Sequence, residues 1–284
     1  MNQTAVSEVG SILRDRYKVY FADDPDPGKA GQGLATCPLV LDILGQEVLD
    51  YWLMSPSEQA AMILLLQNLK PSVAIEIGTK LGGSLQVLAR FSKKVYSLDI
   101  DPEVERRLAG KYPNVEFIIG PSTETLPPLL KRLQAEQANL GFVLVDGDHT
   151  TKGVKSDINN VLEFKPRHPL YVVMHDSFNP ECRRGLLMAQ WARNPHVRAV
   201  EIDFVTGTVN PSPAFRGQLW GGLALAILLP EPRATRFEVT ARAQITYKRS
   251  YRRSMRTIVS SLLTYQRSYR RSMRTIVRRL LRRA

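Results

Sequence analysis

The sequence predicts an α/β protein built on a doubly wound, mostly parallel sheet of seven strands. Three observations point there: a strand, glycine turn and helix near residue 80, an alternation of short apolar runs with amphipathic segments, and acidic or histidine residues at the ends of successive runs. Such alternation buries a parallel sheet between two helical layers. Ligands of open sheets bind beyond the carboxyl ends of the strands, so those tips are the candidate functional positions.

Taken in order, residues 1–54 are expected to hold N-terminal helices and a mobile loop, the Pro/Gly/Asp-rich Phe21–Gly33. Ser55-Pro56-Ser57-Glu58 starts a helix that runs to about Leu69: Ser55 can cap, Pro56 suits the first helical position and Glu58 completes a capping box. The apolar run Val73–Ile75 then leads through Glu76–Ser84, EIGTKLGGS, into the amphipathic Leu85–Phe91. Gly78 can take backbone angles closed to other residues, while Gly82 and Gly83 let a ligand approach the free amides of a helix N-terminus. The spacing is neither GxGxxG nor a phosphate loop ending in Lys-Ser/Thr, so nucleotide phosphates are not the expected guest.

The second strand, Val95–Ile100, ends in Asp99-Ile100-Asp101-Pro102, where Asp99 is placed to accept hydrogen bonds from ribose hydroxyls. After a third strand, Val115–Ile119, Gly120-Pro121-Ser122-Thr123-Glu124 offers small polar groups for an adenine pocket. Helices are expected over Pro102–Tyr112, Thr125–Ala138, Thr151–Phe164 and Cys182–Arg193, and strands over Phe142–Val145, Leu170–Met174, Val200–Val205 and Leu223–Leu229. Strand four ends in Asp146-Gly147-Asp148-His149 and strand five in His175-Asp176, which brings oxygen and nitrogen donors to adjacent tips. Asp148 or Thr150, nearer to Thr151 than Asp146, is the expected cap of the next helix; Asp157 and His168 read as solvated.

With these residues in place, the chain resembles the class I S-adenosylmethionine-dependent methyltransferases. The E-x-G-x-x-x-G-x-S, D-x-D-P and G-x-S-x-E spacings look closest to the catechol O-methyltransferase branch and to the macrolide-sugar and "cephalosporin hydroxylase" methyltransferases, over roughly residues 55 to 230. The resemblance implies a Rossmann-like methyltransferase fold, one of whose last strands runs antiparallel. It implies S-adenosylmethionine held by Glu76, Gly78, Gly82, Ser84, Asp99, Ser122 and Thr123. It further implies a divalent metal on Asp146, His175 and Asp176, with His149 as the base. The family ion is magnesium. The family more often has a carboxylate or amide where this chain has His175, and imidazole suits manganese, iron or zinc better.

The implied reaction is a direct displacement onto a hydroxyl of a small molecule or sugar, with a lipid-linked sugar among the candidates. The acceptor itself is not legible; Thr206–Gln218, with Phe215 and Arg216, reads as either a lid or an ordinary surface loop. Two other classes stay open: a methyltransferase-fold protein that binds membrane or nucleic acid without catalysis, and a non-haem iron oxygenase using His149, His175 and nearby carboxylates.

Composition adds the context. The 284 residues are 44% apolar without an apolar run near the length of a membrane span, the start lacks the pattern of a secretory signal, and Cys37 and Cys182 suggest no disulfide framework. A cytoplasmic address is expected, with peripheral attachment to the inner face of the membrane as an option. The expected divisions are 1–54, a catalytic domain over 55–230, a linker over 231–245 and a tail over 246–284. That tail holds 13 Lys and Arg and no Asp or Glu, against a net charge of +12 for the whole chain. RSYRRSMRTIV occurs at Arg249–Val259 and again at Arg267–Val277, an offset of 18 residues, or five α-helical turns. Tyr247, Tyr251, Met255, Ile258, Val259 and Leu262 form an apolar stripe and Arg249, Arg252, Arg253 and Arg256 a basic sector, which suits an anionic membrane surface. Docking on the domain, a homo-oligomer and nucleic-acid binding are the other readings of the tail.

Overall fold

The computed structural model describes residues 52–210 and 217–260. The expectations for residues 1–51, for Phe215 and Arg216, for Leu262 and for the second tail repeat lie outside the described residues.

The first helix, α1 (Pro56–Leu69), begins where the sequence places it: the Ser55 amide donates to Glu58 Oε2 at 2.6 Å, and Lys70 ends the helix at φ 42°. There follow β1 (Val73–Ile77), α2 (Gly83–Phe91), β2 (Lys94–Asp99), α3 (Pro102–Leu108), β3 (Val115–Ile119), α4 (Ser122–Ala135) and β4 (Leu140–Val145). The chain continues through α5 (Thr151–Val161), β5 (Leu170–His175), α6 (Pro180–Met188), a 3-10 turn over Trp191–Arg193, and β6 (Val197–Val205). A two-stranded antiparallel ribbon of β7 (Thr208–Val209) and β8 (Leu219–Trp220) precedes β9 (Leu223–Leu228) and β10 (Val239–Thr240). The first tail repeat lies on a helix, α7, described over residues 244–260.

The main sheet has the order β10-β6-β9-β5-β4-β1-β2-β3, with β9 antiparallel to both neighbours and the other pairs parallel. From β1 the chain first builds outward through β2 and β3, then returns to add β4 on the other side. The crevice of a doubly wound sheet opens at such a reversal, here between the tips of β1 and β4. Successive side chains of β4 alternate between two cores. Phe142 and Leu144 pack with Met62, Leu66 and Leu88 of α1 and α2, whereas Val143 and Val145 pack with Leu126, Leu130, Val154 and Ile158 of α4 and α5.

Three departures from expectation have local causes. Among the described residues the sheet has eight strands rather than seven, because Val239–Thr240, inside the stretch expected as a linker, pairs with Val200 and Glu201 of β6. Two residues give no periodicity to read. The helix after β3 begins at Ser122, with Pro121 as its N-cap, so Ser122 and Thr123 are helical residues and not loop residues. Asp157 is not solvated: it is 1% exposed and faces the sheet from α5, whereas His168 is exposed as expected.

The tail helix is seated on the domain. Tyr247 meets the Phe178 ring edge to face at 5.5 Å, and the Arg183 guanidinium lies 4.1 Å from the Tyr247 ring centre. Arg183 is itself buried, holding Asp203 Oδ1 at 2.7 Å and Gln244 Oε1 at 2.7 Å, while Asp203 Oδ2 accepts from the Ala243 amide. Ser254 is buried, but Tyr251, Met255 and Val259 of the expected stripe stay exposed. Docking therefore uses one edge of the stripe and leaves a ridge at i, i+4 and i+8.

Candidate active site

The site is built outward from the glycine turn. Gly78 has φ +86°, and a Cβ there would stand 2.1 Å from the Asp146 carbonyl oxygen, so only glycine lets the β1 tip lie against the β4 tip. Glu76, at the end of β1, is fully buried; it accepts from the Ser84 hydroxyl at 2.6 Å and from the Thr79 hydroxyl at 2.7 Å. Burial raises its carboxyl to about 8, despite those two hydroxyl donors. Asp99 accepts the Thr79 and Lys80 amides on Oδ2 and the Asp101 amide on Oδ1, each at 2.9 Å. The turn thus brings Glu76, Gly78, Gly82, Ser84 and Asp99 together, and their side-chain oxygens brace it.

Beyond Asp99, Ile100 is 70% exposed and offers an apolar face beside the β2 tip. Ser122 donates to Asp157 Oδ1 at 2.6 Å, which leaves the lone pairs of its oxygen available as acceptors. Burial lifts the Asp157 carboxyl to about 6. Thr123 is exposed.

At the tips of β4 and β5 the donors converge. Asp146, His175 and Asp176 each offer one ligand atom within 4.8 Å of the others. His175 Nδ1 is 2.9 Å from Asp146 Oδ1 and 3.7 Å from Asp176 Oδ2, and His149 Nε2 is 3.3 Å and 3.5 Å from the same two oxygens. Asp176 adopts the left-handed region at φ 58°, held by the Gly221 amide that donates to its Oδ1 at 2.6 Å. Thr150, one of the two expected cappers, caps α5, and Asp148 accepts from the Thr150 amide and hydroxyl; the Asp146 carboxylate faces the two histidines instead.

Each charge in the cluster is set by its neighbours. Burial lowers the His175 pKa, but Asp146, Asp176 and Glu58 outweigh it and hold the imidazole well above its ordinary value. The hydrogen bond to Asp146 raises His149, against a smaller effect of burial. Burial pushes Asp146 up, yet the two histidines bring it below the usual carboxylate range. Asp176 is raised by its burial, with Asp146 adding to the effect.

Two residues of this site carried no functional reading from the sequence. Glu58 is a helix-start glutamate in the pattern, but its Oε1 lies 3.2 Å from His175 Nε2. Trp220 meets the His149 ring edge-on at 5.7 Å and donates its indole N–H to Gln218 Oε1 at 2.9 Å. Its strand β8 follows Thr206–Gln218, a stretch read only as a lid or loop that in fact holds β7, the other strand of the ribbon, and the Gly221-Gly222 pair after Trp220 was the available sign of a tight turn.

Residues 75–177, which span the glycine turn, both acidic tips and the donor cluster, match a family described as "Methyltransferase domain". Over these residues the chain is similar to that methyltransferase family. Rhamnosyl O-methyltransferases of Mycobacterium leprae (strain TN) and Mycobacterium bovis (strain BCG / Pasteur 1173P2) are 32% and 31% identical to the chain over 125 and 126 residues, each match covering 40% of this chain. The aligned parts cover 52% and 49% of those relatives, so the chain spans about half the length of the curated relatives it matches. Among solved structures, the O-methyltransferase TomG from Streptomyces achromogenes in complex with SAM has TM-score 0.47 and 19% identity, covering 74% of this chain and 95% of its own. An O-methyltransferase from Bacillus cereus in complex with SAH has TM-score 0.46 and 18% identity, with the same coverage of 74% and 95%.

Proposed function

We propose that the methyltransferase domain transfers a methyl group from S-adenosylmethionine to a hydroxyl of a sugar-containing acceptor, assisted by a divalent ion on Asp146, His175 and Asp176. The observation that carries this reading is the convergence of two carboxylates and an imidazole beside His149, one strand away from the glycine turn. Two carboxylate oxygens and one imidazole nitrogen fit a divalent ion, and the imidazole favours manganese, iron or zinc over magnesium. When bound, the ion supplies Lewis acidity that lowers the pKa of the acceptor hydroxyl, and S-adenosylmethionine supplies the sulfonium methyl.

The chain's own residues do the rest. His149 takes the hydroxyl proton, and the Asp146 carboxylate, 3.3 Å from its Nε2, stabilises the imidazolium that results. Trp220 packs against the imidazole and limits its rotation. Asp99 and the braced turn hold the nucleoside end, with Ile100 as an apolar surface for the adenine and Ser122 as an acceptor for its amino group. Fixing donor and acceptor in line replaces a bimolecular encounter with a near-attack geometry. The sugar acceptor is suggested by the rhamnosyl O-methyltransferase relatives. Methyl transfer to rhamnosyl acceptors, assayed with and without a chelator, tests the reading: full rate in excess chelator contradicts the ion's role.

The tail is proposed to hold the enzyme at an anionic membrane surface. In support, Tyr251, Met255 and Val259 form an exposed apolar ridge on a helix whose flanks carry Arg249, Arg252, Arg253 and Arg256. Among the described residues no helix is long and apolar enough to cross a membrane. Cosedimentation with phosphatidylglycerol vesicles should be lost on replacing the three ridge residues by serine, with methylation of soluble acceptors unchanged. Binding to RNA or DNA with steep salt dependence, and none to vesicles, would replace this reading.

A further inference from the structure

Glu58 reaches the donor cluster from outside the strand tips. It sits in the first turn of α1, is 2% exposed, and accepts the amide of Gly222, 164 residues away, on Oε1. Its Oε2 takes the Ser55 amide at 2.6 Å. A glutamate that only starts a helix needs no more than this second bond and has no reason to be buried. Instead, Oε1 lies at ion-pair distance, 3.2 Å, from His175 Nε2, a buried nitrogen with no aligned hydrogen-bond partner of its own. The opposite nitrogen, Nδ1, faces Asp146 and Asp176. The ring is therefore suspended between a carboxylate of α1 on one edge and the two tip carboxylates on the other.

We propose that Glu58 is the positioning residue of His175, holding the Nε2 edge of the ring so that Nδ1 is presented as the nitrogen donor shared with Asp146 and Asp176. This rests on the metal reading above. Metal-binding imidazoles ordinarily donate their second N–H to a carboxylate or carbonyl, which fixes ring orientation and tautomer and strengthens the donor nitrogen. A strengthened imidazole selects ions of intermediate softness, so the pair Glu58 and His175 assigns manganese, iron or zinc to this chain in preference to magnesium. It also bears on Gly221, the first of the two glycines after Trp220. A Cβ on Gly221 would stand 3.0 Å from Glu58 Oε1, and Gly222 gives its amide to the same oxygen.

The test is calorimetric titration of the full chain with Mn2+ alone, with SAH binding followed in the same preparations. Glu58→Gln should weaken Mn2+ binding about 10- to 100-fold while SAH affinity is unchanged. His175→Asn should weaken it similarly, and adding Glu58→Gln to that variant should cause no further loss. A folded Glu58→Gln protein with wild-type Mn2+ affinity overturns the proposal, as does an undiminished effect of Glu58→Gln in the His175→Asn background. If Glu58→Gln does not fold, Glu58→Asp keeps a carboxylate for the Ser55 amide while retracting it from the ring; loss of Mn2+ binding supports the proposal, and wild-type affinity overturns it. Wild-type protein that takes up no Mn2+ overturns the metal reading itself, a result visible before any variant is measured.

Discussion

Asp146 serves two imidazoles with one oxygen, and the consequence is that neither histidine behaves as a free side chain. His149 is held above its ordinary 6.5 by that contact, so in metal-free protein it should titrate above 6.5 by NMR. A histidine with a raised folded pKa contributes stability that is full below its unfolded value and lost as pH rises through the folded one. If His149 is the base, as proposed, His149→Ala should lower kcat about 100-fold or more with Mn2+ binding retained. Single-turnover assays and metal titration of His149→Ala check this; loss of the ion instead would make His149 a ligand. Glu76 gives the second prediction at this scale. Its carboxyl is raised from 4.5 to about 8, so between those values the folded chain keeps a proton that the unfolded chain releases. Its contribution to stability is full below 4.5 and fades as pH rises through about 8. Glu76→Gln keeps the shape without the ionisation and should flatten that fall. Melting curves across the interval measure it, and equal slopes in both proteins would mean that Glu76 is ionised in the fold.

The elements explain what was legible. The glycine turn, the Asp99 tip and the Asp146 and His175-Asp176 tips could be read because each is fixed within a few residues of its strand: an apolar run ends and a polar residue is left at the sheet's edge. Gly78 could be read as special, but the reason, a carbonyl of another strand 2.1 Å from its absent Cβ, could not. Glu58, Asp157, Trp220 and Arg183 owe their roles to partners far along the chain, and no local pattern distinguishes a surface glutamate or arginine from these. Arg183 is the clearest case. Its side chain and that of Asp203 are 3% and 0% exposed, so Arg183→Ala would strand a buried carboxylate and should cost about 3 to 5 kcal/mol. Tyr247→Ala should cost less and act locally, freeing α7 and speeding tryptic cleavage at Arg249 and Arg252. Chemical denaturation and limited proteolysis separate the two effects. A small loss for Arg183→Ala would show that the tail helix is not anchored through this residue.

Along the whole chain, charge is unevenly distributed. Residues 1–245 carry a net −1 and the tail +13, so the basic character belongs to the segment that leaves the sheet through β10 and α7. The seating of Tyr247 on Phe178, two residues past Asp176, means that removing the tail at Thr246 would disturb the β5 tip. Replacement of the exposed ridge is the cleaner intervention. The tips of β1 and β2 are proposed to hold S-adenosylmethionine, and calorimetric titration of wild-type and Asp99→Ala protein with this ligand is the decisive measurement. A single saturable site should appear in the wild type. Asp99→Ala should bind weaker by about 1 to 3 kcal/mol, the scale of stranding polar partners in a closed site, with the protein still folded. No binding by the wild type, or equal affinity in a folded Asp99→Ala protein, would contradict it.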